Sequence, residues 1–546
     1  MMTVRDWGKP ALIAGVLFAL TLIGFFFVPG HTYLQSDTQI YIPIFERIEN
    51  PDLYSRDFLL STAHIGLTLY DETAIWLRHL TGSSFDLVLA GEQIVFRALA
   101  LWGVFLIATS LGFKDSLALL VAACYGLGAT IVGPAVLSVE YEPVPRGFAV
   151  PFLLLATGLL MHGRYIWACS AASVGFLYHS PATIPFWILF AVVIIRERRW
   201  RALWPLAASG VILAIAFTAQ RTRLRPQPFW TTIDPSWEQV IRMRTTYDWI
   251  GMWPSGSVLS LIAFCALAIA ALWRIRALTN WTQRIFLAGF PLVGIGSIAV
   301  SALLLDHWKW ALMAQVQPAR ATLFTIVFAQ INCAAAGLLA ARERRWWETF
   351  LWFVPVMLPP VRPLLTSSTT GQQVATVMLL ALICTALVLW KQSQWLAAPV
   401  LAAAACWAIP HYAHTVNYPE LHSSDLDQLS DWARTKTPTQ ALFVFPNSGH
   451  NLDQGVFRVR ALRSLYVDWK AGGQGNYFRD FALDWNARWN ELSSGKLTPV
   501  DWRARGVEYL VYAGPRSEQL AAPPVFENKS YRAYQTPPID SSARSH

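Results

Sequence analysis

The chain has 546 residues, 54% of them hydrophobic and only 14% charged, with a mean hydropathy of +0.37. That balance excludes an ordinary soluble domain and indicates an integral membrane protein, because a spanning helix needs about 20 mostly apolar residues that satisfy their own backbone. The net charge of +9 does not argue for nucleic acid, since the basic residues sit in short clusters between hydrophobic runs.

The first apolar run, 11–28, follows Arg5 and Lys9 with no small-residue cleavage site after it, and reads as an uncleaved anchor. The pattern predicts further spans near 87–112, 116–136, 147–161, 166–178, 182–195, 202–219, 254–272, 285–305, 321–340, 346–360, 373–390 and 395–410, about thirteen in all. Segments 166–178 and 346–360 are short enough to be half-helices. The cysteines Cys124, Cys169, Cys265, Cys333, Cys384 and Cys406 all fall inside apolar runs and read as small buried hydrophobes.

With the N-terminus inside, Lys114, Arg164, the cluster Arg196, Arg198, Arg199 and Arg201, then Arg274, Arg276 and Arg284, then Arg342, Arg344 and Arg345, and Lys391 all fall in cytoplasmic connections. The polar segments 30–84, 220–253 and the tail from 411 then lie outside. The expected organisation is a polytopic α-helical transmembrane domain, 1–410, in a bacterial inner membrane, followed by a small extracytoplasmic α/β domain, 411–546. In that domain Ser423–Arg434 has helical spacing, while ALFVF at 441–445 and VEYLVYA at 507–513 read as strands.

Just beyond the first span the sequence is TYLQSDTQIYIPIFERIENPDLYSRDF, 32–57. Ser36 and Gln39 have capping-box spacing, and IYIPIFERI is amphipathic, so a helix along the outer membrane interface is expected, anchored by Tyr41 and Phe45. Asp37 then sits in its first turn at the membrane boundary, where a carboxylate also suits the helix dipole.

An acidic residue directly after the first span, about thirteen spans, an inside N-terminus and an external C-terminal domain together resemble the GT-C superfamily of polyprenyl-phosphate-dependent membrane glycosyltransferases. The sequon-reading motif WWD of some members is absent from the chain. The resemblance implies transfer of a sugar from a polyprenyl phosphate to an acceptor on the external face, with inversion at the anomeric carbon. In that superfamily an acid at this position acts as catalytic base or metal-associated residue, the place that Asp37 occupies here. Glu140 and Glu142 in SVEYEPVPRGF are similar to a second acidic site of some members and could hold a divalent ion, Mg or Mn, or be a solvated turn.

The chemistry asks for more. The departing phosphate wants positive charge, and among the external arginines, which include Arg221, Arg223, Arg225 and Arg244, the better candidates are Arg146, Arg242 and Arg320. His179, in YHSP at the outer end of a short span, could bond a phosphate or sugar hydroxyl. Glu92 and Arg97 lie at membrane depth, and Arg97 is expected to pair with a group from another span near the cavity. Asp57 is either a further carboxylate near the cavity or a solvated surface residue. In the tail, FRVRALRSLYVDWKAGGQGNY sets Arg458, Arg460, Arg463 and Lys470 among aromatics, which suits a carbohydrate surface, while GGQG lacks the phosphate-loop pattern. The expected partners are the bilayer, a polyprenyl-phosphate-linked sugar donor, and a glycan, lipid or protein acceptor. The rival reading is a polytopic transporter or lipid flippase, for which spans and intramembrane charges are equally natural, although no internal repeat is evident. A noncatalytic scaffold protein is the third.

Overall fold

The computed structural model describes residues 4–61, 68–219, 227–364, 370–412, 422–514 and 523–538. Helices α1 (Val4–Phe26), α2 (Thr38–Glu49), α3 (Tyr70–Thr81), α4 (Phe85–Ser110), α5 (Asp115–Gly126), α6 (Pro145–Met161), α7 (Tyr165–Tyr178), α8 (Ser180–Glu197) and α9 (Trp204–Ala219) come first. They are followed by α10 (Pro235–Arg244), α11 (Ser257–Arg274), α12 (Trp281–Ser301), α13 (Ala311–Val316), α14 (Thr322–Arg342), α15 (Trp346–Leu364), α16 (Thr370–Leu389) and α17 (Ala397–Tyr412). Eight helices among the described residues are long and apolar enough to cross a membrane, and α5, α6, α7 and the segment Gln394–Ile409 are shorter apolar helices. The expected span 116–136 is helical only as far as Gly126. Beyond it Gly128 takes a left-handed conformation (φ 72°), and the chain turns through a short antiparallel hairpin of β1 (Thr130–Ile131) and β2 (Val136–Leu137).

Small residues set the tightest helix crossing. A Cβ on Gly103 would run into the Leu154–Leu155 backbone, and one on Gly158 would meet the Gly103 carbonyl, so α4 and α6 touch backbone to backbone. α14 is buried along nearly its whole length, and Asn332 Nδ2 donates to the carbonyls of Ala268 (3.1 Å) and Leu287 (3.0 Å), tying α14 to α11 and α12. Connections expected on one side of the membrane make contacts with one another: Lys9 pairs with Asp115 (2.6 Å), Arg274 with Glu343 and Glu348, and Glu197 accepts from Tyr165 and Thr282.

The C-terminal region contains α18 (Ser424–Lys436), α19 (Asp453–Ala461), α20 (Arg479–Ser493) and α21 (Pro499–Ala504) around a five-stranded mixed sheet. Its strands β3 (Leu442–Val444), β4 (Ser464–Leu465), β5 (Tyr509–Ala513), β6 (Phe526–Glu527) and β7 (Tyr531–Gln535) are ordered β4-β3-β5-β7-β6. β3 runs parallel to both neighbours, with Phe443 opposite Leu465 and Tyr509, and β7 is antiparallel to β5 and β6. One apolar core joins this sheet to the segment after α1: Ile40, Phe45, Tyr54 and Leu59 share it with Trp237, Phe457 and Trp485. α2 is therefore packed within the protein. Phe45, expected as a lipid anchor, is wholly buried against Tyr70 and Phe85, Tyr41 packs on Tyr70, and α19 lies against the same helix.

Candidate active site

The expected capping box does not form. Asp37 is the N-cap of α2, but it has helical φ and ψ and its side chain makes no capping bond, while Gln39 instead donates to the carbonyls of Leu34 (2.6 Å) and Leu452 (3.1 Å). The cap comes from Glu142, whose carboxylate accepts the backbone N–H groups of Ser36 (2.8 Å), Asp37 (2.9 Å) and Thr38 (3.3 Å) and the Thr38 hydroxyl. A distant acid thus satisfies the free donors at the start of α2 and leaves the Asp37 side chain available. Burial, and then the Asp37 charge, push the Glu142 carboxyl up, against the bonds it accepts.

Asp37 is enclosed by protein yet about a third exposed, with a side-chain accessibility of 35%. Lys470 reaches it from the turn Lys470–Asn476, with Nζ 2.7 Å from Asp37 Oδ1 and 2.5 Å from Ser36 Oγ. Burial alone would raise the Asp37 carboxyl. Lys470, followed by Arg320 and Arg146, outweighs it and holds the group well below the usual carboxylate range. Asp37 is therefore ionised at neutral pH, and Arg146, Arg320 and Asp37 itself also act on Tyr41 and Tyr477.

Arg146 and Arg320 also line the polar end of a cavity of about 440 Å³, together with His179 and Gln317. The rest of its wall is apolar: Ile184 and Ile188 from α8, Val293 and Val300 from α12, Leu304 from the π-helical turn Ala302–His307 that extends α12, and Phe324 from α14. Ile184, Ile188 and Val300 are exposed, so the apolar side of the cavity is open along α8 and α12 rather than sealed. Arg146 is paired, its Nε (2.8 Å) and Nη2 (2.6 Å) both on Glu140 Oε1. Arg320 is not: its guanidinium stacks over the Tyr247 ring at 5.1 Å, has no carboxylate partner among the described residues, and its Nε is buried without a hydrogen bond. Proximity to Gln317 explains its placement. Gln317 sits in a left-handed conformation (φ 52°), and the next residues, Pro318–Ala321, form the turn that carries Arg320.

His179 both ends α7 and caps α8, where its Nδ1 accepts the Ala182 N–H (3.1 Å), which puts the ring proton on Nε2. Burial, then Arg146 and Arg320, push it down to about 3, so it is a neutral donor beside the cavity. Behind Arg320, Asp248 Oδ2 accepts from Gln317 Nε2 (3.1 Å) and Asn476 Nδ2 (2.8 Å), joining the segment after α10, the Arg320 turn and the C-terminal region.

Several expected site residues serve elsewhere. Arg242 is held by Glu238 (2.6 Å) and lies over Trp249, outside the cavity wall, because an i,i+4 acid on its own helix claims it. Arg97 finds no carboxylate: it donates to the carbonyls of Gly24 (3.1 Å), Gly30 (2.7 Å) and Glu140 (2.6 Å), clamping the exit of α1 to the loop before α6. Asp57 is neither at the cavity nor on the surface. It is fully buried, bonded to Arg458 (2.9 Å) and to the N–H groups of Leu59 and Leu465, and Arg458 also holds Asp468. Glu140 and Glu142 do not suit a cation, since one is neutralised by Arg146 and the other is spent on the α2 N-terminus. No group of three or more His, Cys, Asp or Glu positioned for a metal occurs among the described residues. Arg221, Arg223 and Arg225 lie outside the described residues.

Reading the sequence as separate segments missed Lys470 as a contact of Asp37, and missed Tyr247, Asp248 and Tyr477 altogether. The only signal was compositional: a lysine beside a glycine-rich turn in an aromatic stretch. The turn is shaped by packing, since a Cβ on Gly472 would collide with the Trp485 ring.

Residues 424–492 match a family model described as a domain of unknown function, DUF6798. No curated protein matches the chain. Among solved structures, ArnT from Cupriavidus metallidurans in the apo state is similar over 97% of this chain and 98% of that one, with 12% identity and a TM-score of 0.51. The same enzyme bound to undecaprenyl phosphate aligns with a TM-score of 0.47 and 12% identity over 98% of each chain. The mycobacterial arabinofuranosyltransferase AftD aligns at 0.43 and 14% identity, over 94% of this chain and 35% of its own. The fold is GT-C-like, and the chain is an integral membrane protein.

Proposed function

We propose that the protein is a membrane glycosyltransferase that moves a sugar from a polyprenyl phosphate to an acceptor on the extracytoplasmic face. Arg320 carries this reading: a partly buried guanidinium with no carboxylate within ion-pair distance among the described residues, at the polar end of an open, largely apolar cavity. A cation so placed is stabilised by an anion whose remainder is a hydrocarbon tail. A polyprenyl phosphate meets both demands, and it is the class of lipid bound by ArnT.

In this reading the lipid tail lies along α8, α12 and α14, with the phosphate against Arg320, Arg146 and the Nε2–H of His179. The acceptor hydroxyl attacks the anomeric carbon as Asp37 takes its proton. The bond from that carbon to the phosphate oxygen breaks, its electron pair stays on the phosphate, and the cations stabilise the charge. Attack opposite the leaving phosphate inverts the anomeric centre.

About thirteen crossings, a cytoplasmic N-terminus and a bacterial inner membrane complete the proposal. The excess of Lys and Arg in alternate connections supports the orientation, with residues 1–410 forming the membrane part and 411–546 closing the outer side. The test is transfer by purified protein from undecaprenyl-phosphate-linked sugars to membrane acceptors. Asp37→Asn is expected to lower the rate by about 100-fold or more, and undiminished transfer would remove Asp37 as the base.

A further inference from the structure

Lys470 occupies the proposed base. Its ammonium donates to Asp37 Oδ1 and Ser36 Oγ, and its side chain is only 14% exposed. The backbone behind it is fixed: Arg244 Nε donates to the Trp469 carbonyl (2.7 Å), Arg244 Nη2 to the Lys470 carbonyl (3.3 Å), and Trp237 Nε1 to the Gly475 carbonyl (2.8 Å). The stem, by contrast, is a flexible four-carbon chain, so the head can swing while the turn stays in place. With the ammonium on it, one Asp37 oxygen is engaged and the carboxylate is a weaker proton acceptor. Asp37 also lies within the field of Arg320 and Arg146, the two cavity cations, so an anion brought there enters Lys470's surroundings.

We infer that Lys470 is a donor-responsive cover on Asp37: the phosphate of the lipid draws the ammonium away, and that movement frees the carboxylate for the acceptor. The inference rests on the assignment of the cavity to a polyprenyl phosphate. One ammonium cannot saturate both anions: the sugar-loaded donor is a phosphate diester of charge −1, equal to Asp37, so it shares the ammonium and lets the carboxylate disengage, while the monoester left after transfer carries about −1.5 to −2 and holds it more firmly. The C-terminal region thereby links occupancy of the lipid site to exposure of the base, and an empty site keeps the base covered.

The test is a double-mutant cycle on the affinity of the full-length, detergent-solubilised protein for undecaprenyl phosphate, with neutral undecaprenol as control. Asp37→Asn releases Lys470 and is expected to tighten binding about fivefold, and the gain is expected to vanish in the Lys470→Gln background. A gain of equal size with and without Lys470 would reflect only removal of a nearby negative charge and would overturn the cover, as would no gain at all. Lys470→Met, which keeps the apolar stem, replaces Lys470→Gln if that variant does not fold. Arg320→Ala separates the two ideas. If it leaves binding unchanged, the lipid assignment itself fails. If it weakens binding about tenfold while the Asp37 and Lys470 effects simply add, the cover alone fails.

Discussion

Glu142 shows how one side chain fixes the chemistry of another. By accepting three successive backbone N–H groups it orders the first turn of α2 and keeps Asp37 clear of the capping role that its position would otherwise invite. Glu142→Ala strands one buried and two half-buried donors and is expected to cost about 1–3 kcal/mol, read as a lower melting temperature in detergent. Asp57 is the second case. Its Ala variant leaves Arg458 with one fewer acid in a dry core, and a loss of about 3–5 kcal/mol is expected. The third is Asp248, which burial raises to about 6 against the opposing pull of Arg320, Asn476, Thr245 and Gln317. A carboxyl with a folded pKa above its unfolded value of about 3.9 binds more protons folded than unfolded between those values. Its contribution to stability therefore falls as pH rises through that window. The wild-type melting temperature should drop more between pH 4 and pH 7 than that of Asp248→Asn, and parallel curves for the two proteins would refute the assignment.

The elements divide into those that local pattern determines and those that contacts determine. Long apolar runs such as 87–112 and 285–305 were legible because only a self-satisfied helix suits hydrocarbon. The end of α5 was not, because Gly126 and Gly128 stop a helix inside a run that hydropathy reads as continuous. The burial of Phe45 was illegible for a related reason: an apolar residue on a short helix looks the same in sequence whether lipid or protein covers it. The α4–α6 crossing gives a test at this scale. Gly103→Val forces the two backbones apart and should lower the melting temperature sharply, whereas Gly15→Val on α1, where a Cβ meets nothing within 4 Å, should leave it nearly unchanged.

At the scale of the whole molecule, the site draws on stretches of chain that lie far apart in the sequence. Asp37, Arg146, His179 and Arg320 could be nominated from position and chemistry, because each stands at the outer end of an apolar run. Arg242, from a polar outer segment, and Arg97, from membrane depth, could also be nominated, yet a neighbouring acid holds one and three carbonyls hold the other, and hydropathy carries no trace of either partner. Lys470, separated from Ser36 by 434 positions, became part of the site only when the C-terminal sheet and the first outer segment were seen to share one core. That shared core also implies that the outer region does not operate as a detachable module. Removal of residues 411–546 should abolish lipid-phosphate binding along with transfer.

The most direct measurement is a cryo-EM structure of the protein with undecaprenyl phosphate. The account predicts density for the phosphate within hydrogen-bonding distance of the Arg320 guanidinium and for the chain between α8, α12 and α14. A phosphate seated elsewhere, with the Arg320 cavity empty, would contradict it.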